Sequence, residues 1–243
     1  MTVIAICFFL SVTGTRADLI FADSFAYPKG PLDGQGPPPG SPPGQGGWST
    51  SNGNPRVEKF GLDFAGIFST GGNARIRGVP DTNGDKATAQ LGPVTADEGV
   101  VWVGFLVRRA KGTDPLGYAV VALGNNVTGP SLGIGLLFTK KVYGLDNNTG
   151  KKGSRSTSEV APRGETVWLV TKLDFSGTHE YLWINPSPGT EPDIADADAE
   201  LNMTAEFLAA GFSEVVLQTG YARQAFDFDE LRIGTTFADV VSP

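Results

Sequence analysis

Phe226-Asp227-Phe228-Asp229-Glu230-Leu231-Arg232-Ile233-Gly234-Thr235-Thr236-Phe237-Ala238-Asp239-Val240 is the stretch on which the fold turns. Apolar and charged residues alternate along it. A period of two marks a β-strand with one buried and one polar face. The Gly-Thr-Thr triplet at 234–236 then stops the strand. Beyond 226–234, the same reading gives strands at 19–25, 87–91, 99–109, 117–123, 132–138, 142–146, 166–174, 179–185 and 213–219. Gly, Asn, Asp and Pro fill the spaces between them. Residues 203–210 alone read as a helix, with Asn202 or Thr204 as its cap and Gly211 as its stop. No helical crossovers separate the strands, so a parallel α/β sheet is excluded and an antiparallel two-sheet β-sandwich is expected.

The bulk numbers agree. A chain of 243 residues with 40% hydrophobic content suits one large all-β domain, and 33 Gly with 17 Pro suit many turns. The net charge of −7 offers no basic field, so nucleic acid and anionic lipid are poor partners. Residues 1–17 read as a secretory signal: 3–12 form an apolar run too short to cross a bilayer, and Thr15-Arg16-Ala17 supplies small residues around a cleavage point. The lone cysteine, Cys7, lies in that run, so the mature chain is expected to hold no disulfide, thiolate nucleophile or Cys-based metal site. One histidine, His179, argues against a triad or a multi-His metal centre. With no second apolar segment, the expectation is a secreted or periplasmic product without a transmembrane anchor.

Several strings resemble those of bacterial LamG-like (concanavalin A-like) jelly-roll domains. The 229–240 segment is similar to the family's closing "DE-(I/L)-R-(I/L)-G-T-T-(W/F)-A-D-V". Gly99-Val100-Val101-Trp102-Val103-Gly104-Phe105-Leu106-Val107-Arg108-Arg109 resembles its "G-T-x-W-x-S-F-L-x-R" strand, with Gly104 where a small residue is usual. Leu132-Gly133-Ile134-Gly135 with Tyr143-Gly144-Leu145 resembles an "IG…WGL" hairpin, and Leu169 to Phe175 with Leu182-Trp183-Ile184-Asn185-Pro186 resembles "LLV-x-K-I-D-F…LWVNP". Tyr27-Pro28-Lys29-Gly30 and Trp48 resemble the family's opening, interrupted by a Pro/Gly-rich loop at about 28–47. The resemblance covers nearly all of 18–243 and implies one jelly-roll domain of a family made largely of extracellular recognition modules, often for glycans. It brings no catalytic set.

The candidate site comes from pairing 166–174 with 179–185. A two-residue turn at Ser176-Gly177 sets Asp174 opposite His179, Lys172 opposite Tyr181, Val170 opposite Trp183 and Trp168 opposite Asn185, all on one face. Leu169, Thr171, Leu173, Ile184, Leu182 and Glu180 take the other face. Rings mixed with polar groups suit sugars, which present C–H faces and hydroxyl rims. Trp168, Lys172, His179, Tyr181, Trp183 and Asn185 are therefore the candidate carbohydrate ligands. The alternative packs Trp168 and Trp183 between the sheets.

For a structural Ca²⁺, oxygen ligands are offered by Asp81, Asn83 and Asp85 and by Asp227 and Asp229 of the last strand. Lys86 and Gly92 at the sixth and twelfth positions exclude an EF-hand, and a plain turn at 81–85 is the alternative. Asp227 and Asp229 also stand roughly 7 Å apart by strand rise, near the spacing of glycosidase acid pairs. His179, Tyr181 and Lys172 are the one set from which a polysaccharide lyase can be built. The leading expectation is a non-catalytic glycan-binding domain. A carbohydrate-active enzyme and a self-assembling envelope or matrix protein are the alternatives.

Overall fold

Two antiparallel sheets stack into an all-β sandwich in a computed structural model that describes residues 18–78, 84–110, 118–125, 131–137, 142–147, 155–220 and 224–241. The expected signal at 1–17 lies outside the described residues. In chain order the first strands are β1 (Leu19–Asp23), β2 (Gly30–Pro31), β3 (Trp48–Asn52), β4 (Arg56–Glu58), β5 (Asn73–Arg77), β6 (Lys86–Val94), β7 (Val100–Arg109) and β8 (Tyr118–Gly124). Then follow β9 (Ser131–Leu136), β10 (Val142–Asp146), β11 (Arg155–Val160), β12 (Thr166–Asp174), β13 (His179–Ile184), β14 (Ala199–Asn202), β15 (Phe212–Gly220) and β16 (Ala225–Gly234). Among the described residues there are two short α-helices, α1 (Ala205–Ala210) and α2 (Phe237–Val241). No described helix is long and apolar enough to cross a membrane.

One sheet runs β14-β13-β12-β7-β16-β5-β4-β2, with β1 also paired to β16. The other runs β11-β10-β9-β8-β15-β6-β3. Alternate residues of β7 point inward: Val101, Val103, Phe105 and Val107 meet Val121 of β8, Ile134 of β9 and Leu217 of β15 in the main core.

β16 keeps its alternation only by breaking it once. Phe226 and Phe228 point into the core, and so do Leu231 and Ile233, which differ in parity. The register against β7 slips between Asp229 and Arg232, and Glu230 takes a φ of 45°. A β-bulge thus uses one extra residue to return the apolar side chains to the inner face. Either side of this bulge, β5 and β1 share one edge of β16, pairing with 225–228 and 231–234 respectively.

Helix α1 matches the expected signals: the Thr204 hydroxyl accepts from the Phe207 amide, and Gly211 ends it at φ 60°. The Pro/Gly-rich stretch is fastened rather than loose. The Gln45 side chain accepts from the Ala22 amide and donates to the Ala22 carbonyl, in the manner of a missing strand neighbour of β1.

Candidate functional site

The β12–β13 register is the one the sequence predicts, with Asp174 opposite His179, Lys172 opposite Tyr181 and Val170 opposite Trp183. The turn differs. Residues 175–178 form a four-residue turn with Thr178 at φ 62°, and the Asp174 carboxylate accepts from the Gly177 amide. Both turns preserve the same pairing, so the face assignment survives the change.

That face looks away from the inter-sheet core, yet most of it is covered. Trp102, Leu106, Trp168, Val170 and Trp183 form a second, smaller core with Phe237 and Val240 of α2 and with Leu62 and Ile67 of the 59–70 loop. Neither expectation for Trp168 describes its place. It is neither between the sheets nor free to stack on a sugar: it is 1% exposed, beneath Phe237 (ring centroids 6.1 Å apart) and Phe64 (6.0 Å). Asn185 also serves the backbone. Its side-chain oxygen accepts from the Trp168 amide at 2.9 Å, and its φ of 54° suits asparagine, which tolerates the left-handed region.

The rings run out of this core toward solvent in a row. Trp102 stacks on Trp183 at 5.6 Å, Trp183 meets Tyr181 at 6.2 Å, and Tyr181 stacks on His179 at 6.0 Å. Tyr181 and His179 at the outer end are half-buried, while Trp183 shows 3% of its surface. Lys172 lies along the row, its ammonium 5.0 Å from the Trp102 ring and 3.3 Å from Glu191. Beside Trp183 opens a groove of about 480 Å³, walled by Pro186, Ser187, Thr190, Glu191, Asp193 and Asp196 among others. The Trp183 indole donates to the Asp193 carbonyl at 3.0 Å, which holds ring and loop together.

Of the six expected ligand residues, the structure brings Lys172, His179, Tyr181 and Trp183 into one strip and gives Trp168 and Asn185 to the fold. A lyase base is poorly served here. Loss of water, with the Glu200 and Asp174 charges, pushes the Tyr181 phenol up, away from the anionic form a base needs.

The candidate metal residues divide. Asp81 and Asn83 lie outside the described residues. Asp85 is buried, its two oxygens accepting from the Asn54 and Arg77 amides, so it ties three segments of backbone. Asp227 is held by Arg75 (Nε to Oδ1 2.6 Å) and Arg108 (Nη2 to Oδ2 2.8 Å). Asp229 accepts from the Leu62 amide, the Ser69 hydroxyl and the Glu230 amide. Loss of water pushes its carboxyl up to about 7, against the pull of those donors. Both acids are 0% exposed, so neither can reach a glycosidic bond. Among the described residues no three His, Cys, Asp or Glu side chains gather as a metal site, and these acids do not fit an ion that takes six to eight oxygens.

Sequence reasoning missed these arginine partners. Arg75 and Arg108 sit in strands and point to the same face as Asp227, with which each is in register. Such pairing across 152 and 119 residues needs the sheet order, which alternation does not supply.

No family model and no curated protein matches the chain. Solved structures do. One described as HCR/D-Sa-GBL1/C superposes with a TM-score of 0.50 at 13% identity, over 92% of this chain and 50% of that one. A sialidase gives 0.51 at 8% identity, over 76% of this chain and 16% of its own. The binding domain of botulinum neurotoxin DC in complex with SialylT gives 0.46 at 14% identity, over 75% and 43%. At such identities the likeness of the first two is one of fold alone. The chain spans half or less of the length of each of these structures.

Proposed function

We propose that this protein is a non-catalytic carbohydrate-binding domain of LamG-like type, exported after removal of residues 1–17. The observation that carries the reading is the ring row that ends in half-buried Tyr181 and His179 and whose inner member, Trp183, lines a groove. A sugar ring needs a rigid aromatic face with hydrogen-bonding groups at its rim. Tyr181 is stiffened from behind by Trp183 and Trp102, and Lys172, Glu191 and Asp196 supply charged rims. A sialidase built partly on the same sandwich is consistent with this, as an analogy of fold. The test is a glycan array followed by titration calorimetry of the best ligand. Tyr181→Ala should weaken binding at least tenfold, about 1.4 kcal/mol, with an unchanged circular dichroism spectrum. Unchanged affinity would remove this site, and a silent array would remove the reading.

A self-assembling envelope or matrix protein is favoured by one observation. Phe60 and Phe68, on the loop that caps the second core, are 73% and 71% exposed. Sedimentation velocity of the protein and of Phe60→Ser/Phe68→Ser decides this, since only an assembly through that loop would dissociate in the variant.

A further inference from the structure

Glu180 occupies a place that an acid seldom holds. It lies on β13 between His179 and Tyr181, but alternation turns it the opposite way, into the inter-sheet core. It is 1% exposed, and its Oε2 has no hydrogen-bond partner. Across the sheet it faces Leu173 of β12 and Leu201 of β14. Thr171, one diagonal step away on the same inner face, also has a buried oxygen without a partner.

Among the described residues, the charged groups around Glu180 do not favour ionisation. On β12 the neighbouring charges, Lys172 and Asp174, belong to the outer face, as does Glu200 of β14. Asp146, at the end of β10 in the facing sheet, adds a like charge to the effect of burial, and the Glu180 carboxyl is held well above its ordinary range. β11, which also lies against β14, carries Arg155 and Glu159, with Arg155 paired through its backbone to Leu145. An isolated carboxylate in such a place costs several kcal/mol, so the acid stays protonated or the structure around it gives way.

The place where it gives way follows from the topology. β14 is the edge strand of its sheet, and β10 and β11 close over it from the other layer. Glu180 is therefore one strand from solvent, and separating β14 from β13 lets water reach it.

We propose that Glu180 is a proton-operated latch: protonated, it lets β13 and β14 seal that corner of the sandwich, and ionised it drives the corner open. The proton goes to solvent and returns from it. Because the same strand carries His179 and Tyr181 outward, opening disturbs the ring row as well. That consequence for a ligand rests on the carbohydrate-binding reading, whereas the latch does not.

Hydrogen–deuterium exchange tests it on the full chain without any ligand. Exchange of 179–202 is compared with that of β7 at pH 6 and pH 9, after correction for the intrinsic rate. In the wild type, protection of 179–202 should fall tenfold or more at pH 9 while β7 stays protected. In Glu180→Gln, and in Glu180→Met should the amide disturb folding, 179–202 should keep its protection at both pH values. Equal loss in wild type and variants would overturn the proposal, as would protection lost uniformly over β7 and 179–202. A carbohydrate site that fails on the array leaves this measurement untouched.

Discussion

Asp227 and Asp229 are two carboxylates on one face of one strand, and their surroundings give them opposite characters. Asp227 is neutralised by charge, with Arg75 and Arg108 gripping it through four hydrogen bonds. Asp227→Asn leaves two guanidinium groups crowded around a neutral amide. A loss of about 3 kcal/mol in urea unfolding is expected, toward the lower end of the range because the arginines are partly exposed and rehydrate. Asp229 has only dipoles in its favour, and they do not offset burial and the neighbouring Glu230 charge. Its folded carboxyl stands near 7 against an ordinary 3.8, so the native state holds a proton that the unfolded chain has released over that window. The resulting stability is fully present below about pH 4 and is lost as pH rises to 7. A displacement of that size corresponds to at most about 4 kcal/mol. Melting temperature measured from pH 4 to 7 should fall less steeply in Asp229→Asn than in the wild type. An unaltered slope would mean that Asp229 is ionised throughout. Alternation puts both residues on one face, but pairing depends on Arg75 and Arg108 for Asp227 and on Leu62 and Ser69 for Asp229, all more than a hundred residues away in sequence.

At the level of elements, the β12–β13 hairpin was legible because its pattern is over-determined. Six consecutive cross-strand pairs must keep Leu169, Leu173 and Leu182 inside, and a slip of one residue would expose them all. What covers the other face was not legible. Helix α2 has five residues, too few for a helical period to appear, and its one local signal is the cap Thr236-Phe237-Ala238-Asp239, in which the Asp239 carboxylate accepts from the Thr236 amide and hydroxyl. The structure shows what the small residue at Gly104 is for. A Cβ there would stand 2.9 Å from the Val240 Cβ, so the glycine lets α2 lie flat on β7. Gly104→Leu should lift the helix and uncover Trp102, whose ring lies 5.3 Å from Phe237. Phe237→Ala should cost about 3 kcal/mol by leaving a cavity over Trp102 and Trp168. In both variants tryptophan emission should shift to the red before the main unfolding transition. Emission identical to wild type would show that α2 is not what keeps those indoles dry.

Over the whole molecule, the stretch that revealed the fold also occupies its most connected position. β16 pairs with β7 on one side and with β5 and β1 on the other, so the last strand of the sequence lies inside the nine-stranded sheet. Without it that sheet separates into β14-β13-β12-β7 and β5-β4-β2, and β1 has no partner. Each fragment then exposes backbone groups as well as half of the main core, which neither water nor the seven-stranded sheet can replace. Two truncations separate this role from that of the helix behind it. Deleting residues 235–243 removes α2 and the Thr235–Asp18 hydrogen bonds but leaves β16 in place. That protein should keep its far-ultraviolet β spectrum and a cooperative transition, at a lower melting temperature and with exposed indoles. Deleting residues 225–243 removes β16 as well, and no cooperative transition should remain. A 1–224 chain that still melts cooperatively would mean that the two layers close without their central strand, and β16 would then be an addition to the sheet rather than its keystone.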